Sequence, residues 1–236
     1  MGHPLWQVGF RPFFALAMLA GLSLPVLWAL FFSGVVSAPQ TSFSMVQWHA
    51  HEMFFGFGWA VLGGFLLTST KNWVKVRGYH GLALMFLAAA WLFERIGMWF
   101  EGALFDGFWA HALFLLSNNL FLGSIVAMLA FTLVKNRATD SYRNNYLFLL
   151  ILPAFLLAKY LMLSTDHYLL GWSMALALVR MAFLVMLERT LVQFMKGAFQ
   201  VGILQHPLLD GAIKLLGLLL VLGGLLPSVL TACAGL

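Results

Sequence analysis

WHAHEMFFGFGWAVLGGFLLTST, residues 48–70, is the stretch whose reading decides the fold. It opens on Trp48-His49-Ala50-His51-Glu52-Met53 and then continues to Thr70 without another charge. Crossing the ~30 Å hydrocarbon core of a bilayer takes about 20 apolar residues in a helix, and this run meets that length. Backbone amides in lipid must be paired within the segment, and the run is too long and too continuous for a barrel strand. It is therefore read as a transmembrane helix whose outer mouth carries two imidazoles and a carboxylate.

Similar runs lie on both sides of it, at Phe13 to Val36, Gly81 to Phe100, Phe108 to Val134, Tyr146 to Ser164, Tyr168 to Leu187 and Leu215 to Leu236. With Trp48 to Thr70 they make seven. The expected fold is all-α: a polytopic transmembrane bundle of about seven helices, forming a single integral membrane domain over residues 1–236. No low-complexity linker or internal repeat divides it. Composition agrees, because 62% of the residues are hydrophobic and 9% charged, where a soluble domain carries roughly 25% charged residues. The chain's partner is membrane lipid.

The polar turns between the runs set the expected orientation. Arg11, then Lys71, Lys75 and Arg77, then Lys135, Arg137 and Arg143, then Arg189, Lys196 and Lys214 all fall on one side. The opposite turns hold Glu101, Asp106, Asp166 and His167 but no lysine or arginine. Positively charged turns stay inside, so the amino terminus is expected in the cytoplasm. Phe13 to Val36 is too long for the apolar core of a cleaved signal peptide and is read as an uncleaved anchor. The net charge of +5 is scattered, with no block of like charge, which gives no footprint for nucleic acid.

Chemistry must rest on few groups. The single cysteine, Cys233, excludes an internal disulfide and any centre built from several thiolates, leaving histidine, methionine and carboxylate as metal donors. Charged side chains inside spans are costly and are functional candidates by default. They gather near the outer side: His49, His51 and Glu52 at the mouth of the second run, Glu94 and Arg95 in the third, His111 in the fourth and Lys159 in the fifth. Imidazole is the commonest metal ligand and an axial ligand of haem iron, so His49, His51 and His111 are candidate ligands. On one continuous helix His49 and His51 point about 200° apart, so they share a metal only if the helix starts after them and otherwise serve different centres. The competing reading leaves both rings hydrated at the interface.

Glu52 is placed to orient a ligand imidazole through its second nitrogen. Arg95 suits a haem propionate, because guanidinium matches carboxylate bidentately, and Glu94, pointing about 100° away, is expected to pair elsewhere. Arg180, twelve residues past Tyr168, lies near mid-membrane and is expected to face the bundle interior, pairing with Glu188 or a neighbouring helix, or holding a cofactor or substrate anion. Lys159 is expected to snorkel to the interface. The stripe Gly56, Ala60, Gly64 favours close helix packing, with approach of a flat porphyrin as the minority reading. No Walker, Rossmann or nucleophile-elbow pattern occurs.

Several of these stretches together resemble the NnrS family: Gly9-Phe10-Arg11-Pro12-Phe13-Phe14, then Trp48-His49-Ala50-His51-Glu52-Met53 through Phe57, then Gly63-Gly64-Phe65-Leu66-Leu67-Thr68 with Asn72-Trp73, and Glu188-Arg189-Thr190-Leu191. The resemblance implies a multi-pass protein of the bacterial inner membrane that binds haem, of b type, and copper. It also implies a role in the response to nitric oxide and nitrosative stress, alongside denitrification, with nitric oxide or a related small molecule and an electron donor as partners. Members typically carry about twelve spans, so the chain is read as a short form or an amino-terminal part. The alternative is a cofactor-free secondary transporter or membrane scaffold that uses Arg180 and the outer polar cluster.

Overall fold

Ser44 starts the decisive helix. Its hydroxyl accepts from the Gln47 amide at 3.2 Å while the Gln47 side chain accepts from the Ser44 amide at 3.0 Å, a capping box that satisfies two orphan donors of the first turn. The helix therefore begins before both histidines, and they face different ways. The computed structural model describes residues 3–37, 39, 41–105, 107–139, 146–200 and 206–223.

Among the described residues seven principal helices follow one another: α1 (Phe10–Phe32), α2 (Met45–Trp73), α3 (Leu82–Trp99), α4 (Ala110–Lys135), α5 (Tyr146–Met162), α6 (Tyr168–Phe194) and α7 (Pro207–Gly223). Among the described residues there is no strand. Five stretches are long and apolar enough to cross a membrane: α1 to α4 and the Tyr168–Glu188 part of α6. Of the seven spans expected, five are long enough among the described residues; α5 has 17 residues and rises only about 26 Å, short of the ~30 Å core. The last helix starts at Pro207 rather than Leu215, because proline presets the first helical turn without needing its missing N–H. Residues 224–236 of the expected seventh run lie outside the described residues.

α1 packs on α2, α3 on α4, α5 on α6 and α6 on α7, while α4 links to both α2 and α5. The α1–α2 contact is close because Gly64 has no side chain: a Cβ there would stand 2.8 Å from Phe13 Cβ and 3.4 Å from Phe10 Cα. Phe13, Trp48, Phe55, Trp59, Phe121 and Phe155 fill the interior. Met18, Leu22, Leu116 and Phe131 are exposed, as helices bathed in hydrocarbon allow.

Within α2 the backbone departs from α geometry over Glu52–Gly58, which is π-helical. Such a bulge re-aims the side chains around it and is common near functional groups. At the opposite end of the bundle the basic turns are tied together: Gly81 N–H donates to Trp6 O at 2.7 Å, Tyr79 OH to Met128 O at 3.0 Å and Thr139 Oγ1 to Val74 O at 3.0 Å. Lys71, Arg77 and Lys135 line one cleft there, so the turns after α2 and α4 share that end.

Candidate functional site: a buried charge cluster beside a free imidazole

Four helices meet on a cluster of ionised side chains inside the bundle. Glu94 of α3 is its hub. Its Oε1 accepts from Lys159 Nζ of α5 at 2.5 Å and from the Arg95 guanidinium next door, and it lies 3.9 Å from His51 Nε2. Lys159 also donates to the Asn118 carbonyl of α4 at 2.5 Å. Arg95 Nε stands 3.0 Å from Glu52 Oε2, and His51 Nδ1 is 3.2 Å from Glu52 Oε1. Because a carboxylate only accepts, His51 presents an N–H to Glu52.

Burial explains why these groups hold to one another. Glu94 and Lys159 have 0% exposure, His51 1% and Glu52 2%. A lone ion there would be strongly penalised, but two carboxylates face two cations and the sum is neutral. Aromatic faces complete the enclosure: Lys159 Nζ lies 5.4 Å from the Phe55 ring and Arg95 5.3 Å from Trp91. Gly56 makes room for the arginine. A Cβ at that position would stand 2.6 Å from Arg95 Nη1 and 3.2 Å from Glu52 Oε2, while the Gly56 carbonyl accepts from Trp91 Nε1 at 3.0 Å.

The candidate residues thus divide into two groups. His51, Glu52 and Arg95 come together in the cluster, whereas no hydrogen bond or ion pair among the described residues joins His49, His111 or Arg180 to it. His51 turns both ring nitrogens to partners: Nδ1–H donates to Glu52 Oε1, and Nε2, 3.2 Å from the Asn118 side-chain amide, is the acceptor for that amide once it turns its NH2 to the ring. His49 faces the other way, half-buried and stacked on Trp28 of α1 with ring centroids 4.2 Å apart. Its Nδ1 is buried without a hydrogen-bond partner, as is Nε1 of the adjacent Trp48. His111 is exposed near the start of α4.

Three expectations are corrected. Arg180 does not face the bundle interior; it is exposed on the flank of α6, and Glu188 pairs instead with Lys214 of α7 at 2.9 Å. Lys159 does not snorkel, because Glu94 and the Asn118 carbonyl draw it inward. Glu94 and Arg95 do not pair apart, since the long arginine side chain folds back to its neighbour and also reaches Glu52. The sequence carried one clue to Lys159: Glu52 and Glu94 at similar depth, with Arg95 as one cation, require a second; nothing in it pointed to Asn118.

The fit of the implied cofactors can be tested on these atoms. Among the described residues no three of His, Cys, Asp or Glu are grouped to hold a metal ion, and His51 is already saturated. Among the described residues, copper is offered no grouped imidazole, thiolate or carboxylate donors. The glycine stripe of α2 is filled by Phe13 and Phe10 at Gly64 and by Ile125 at Gly63, which leaves no porphyrin face there. His49, with a buried ring nitrogen uncommitted, fits an axial ligand of haem.

Five helices of membrane length among the described residues, packed around an enclosed, charge-balanced cluster, mark a membrane protein. A family model described as NnrS protein matches residues 4–236, and the chain belongs to the NnrS family. No curated protein and no solved structure matches it.

Proposed function

We propose that this chain is a haem-binding protein of the bacterial inner membrane that acts in the response to nitric oxide, with His49 as the iron ligand near the periplasmic rim. The observation that carries the assignment is the His49 ring, stacked on Trp28 and holding a buried nitrogen that no protein group satisfies. The basic turns that share one end of the bundle support an orientation with that end and the amino terminus on the cytoplasmic side. Haem held by His49 would supply an iron centre with affinity for nitric oxide.

The chain's own residues contribute position and exclusion. Trp28 fixes the plane of the His49 ring, and the capping box holds the helix mouth that presents it. In this reading His51 is not a metal ligand; its contact with Asn118 ties α2 to α4. Glu52 in turn is occupied by His51 and Arg95 rather than by His49. No copper centre is part of this proposal.

The test is an absorption spectrum with iron analysis on protein purified from haem-replete cells. A Soret band with near-stoichiometric iron is expected, lost in His49→Ala and kept in His111→Ala and His51→Asn. A colourless, iron-free preparation refutes haem binding and returns the cofactor-free transporter or scaffold as the better reading. A band unchanged in His49→Ala refutes the ligand.

A further inference from the structure

At the basic end of the bundle, far from His49 along α2, two clefts adjoin. One of about 700 Å³ is bordered by the amino-terminal turn and the segment after α2, including His3, Lys71, Arg77 and His80. The other, about 260 Å³, lies between that segment and the end of α4, including Lys71, Arg77 and Lys135. Lys71, Val76, Arg77 and Gly78 line both. The larger falls within the roughly 300–1,000 Å³ typical of small-molecule sites.

Three features distinguish these clefts from ordinary positive turns. Among the described residues, no carboxylate lines either one. Lys71, Arg77 and Lys135 have no carboxylate partner among the described residues, whereas Arg95, Lys159 and Lys214 each have one. The walls are also built: Gly81 N–H to Trp6 O, Tyr79 OH to Met128 O and Thr139 Oγ1 to Val74 O brace the segment against the amino-terminal turn and α4. Lys71 lies flat over Gly78, where a Cβ would stand 2.9 Å from its Cδ, and His80 Nδ1 is 3.0 Å from the Gly78 carbonyl. Orientation preference alone calls for basic residues in these turns, not for an enclosure walled by them.

We propose that these joined clefts form a binding site for a phosphate group. Arg77 supplies a planar fork that matches phosphate oxygens, and Lys71 and Lys135 add point charges on either side. The phosphate has two available sources, the headgroup of an anionic phospholipid in the adjacent leaflet and a soluble phosphate compound. The site is independent of haem.

The test uses the full chain in phosphatidylcholine nanodiscs, probed in one arm with phosphatidylglycerol by native mass spectrometry and in the other with inorganic pyrophosphate by calorimetry. Binding is expected in at least one arm, and the arm that responds names the source. Arg77→Gln and Lys71→Gln should each weaken it about fivefold, the loss of one direct hydrogen-bonded contact to the phosphate. Lys75→Gln removes a charge from the same turn but lines neither cleft; without a direct contact its field is screened by salt, and it should change binding less than about twofold in about 0.15 M salt. Melting curves check that each variant is folded, and Lys135→Gln replaces any that is not. Binding in neither arm, or an equal loss in Lys75→Gln and Arg77→Gln, overturns the proposal.

Discussion

Replacing Lys159 with methionine removes the ammonium and keeps the length of the side chain. Nζ has two partners, Glu94 Oε1 and the Asn118 carbonyl, each at 2.5 Å, in a site with no exposure. Without it, two carboxylates face one cation. Breaking a buried pair by deleting one member costs about 3–5 kcal/mol, and the lower end applies because Arg95 still bonds Glu94. Adding Glu94→Gln to Lys159→Met restores the balance, leaving Arg95 opposite Glu52 at 3.0 Å. The double variant should then recover about 2 kcal/mol relative to the sum of the singles, inside the usual range for coupled neighbours. Equilibrium unfolding in mixed micelles, run on all four proteins of the cycle, measures this. Additive losses, or a Lys159→Met cost below about 1 kcal/mol, would refute a buried, charge-balanced cluster.

Gly56→Ala places a methyl 2.6 Å from Arg95 Nη1, so the guanidinium must leave Glu52; a loss of about 1–3 kcal/mol is expected in the same unfolding assay. At Gly171 a Cβ would meet the backbone of α5, 2.7 Å from Leu161 C and 2.8 Å from Ala158 O, which cannot rotate away. Gly171→Ala should therefore separate α5 from α6 and shift the protein to the void volume on size exclusion. Arg180→Leu removes an exposed mid-span cation that holds no protein partner among the described residues, so its melting temperature should equal or exceed that of the parent; a fall of several degrees would show that Arg180 is paired. Ser44→Ala removes the capping hydroxyl of α2 and should cost about 1 kcal/mol, with the His49 spectrum as a sensitive second readout.

Much of the bundle was legible because lipid imposes a one-dimensional rule. Any run that crosses the core must pair its amides within itself, so apolar length reads directly as a helix, and α1 to α4 and α6 emerge near their expected places. The sequence also placed His49 and His51 on opposite faces once the helix start was known, and the Ser44–Gln47 box supplied that start. Membership of the NnrS family was written in the same residues.

The partners of the charged groups were another matter. Depth along a helix is readable from residue number, but rotation about its axis relative to neighbours is not, and rotation decides whether a charge looks inward. Lys159 and Arg180 show the two outcomes: one, close to a helix end with an easy route to the interface, is drawn into the core, and the other, deeper in the span, is left on the flank. The π-helical turn at Glu52–Gly58 shifted the register further, a local departure that no hydrophobic period announces.

The amino-acid order by itself determined a membrane bundle, the positions of five long spans, the family and the short set of groups able to do chemistry. Only the assembled helices decided which of those groups neutralise one another and which stand unclaimed. Coulomb attraction in a medium of low dielectric acts through space between α2, α3, α4 and α5, and residues 67 and 65 positions apart, as His51 and Asn118 or Glu94 and Lys159 are, become neighbours only once the helices pack.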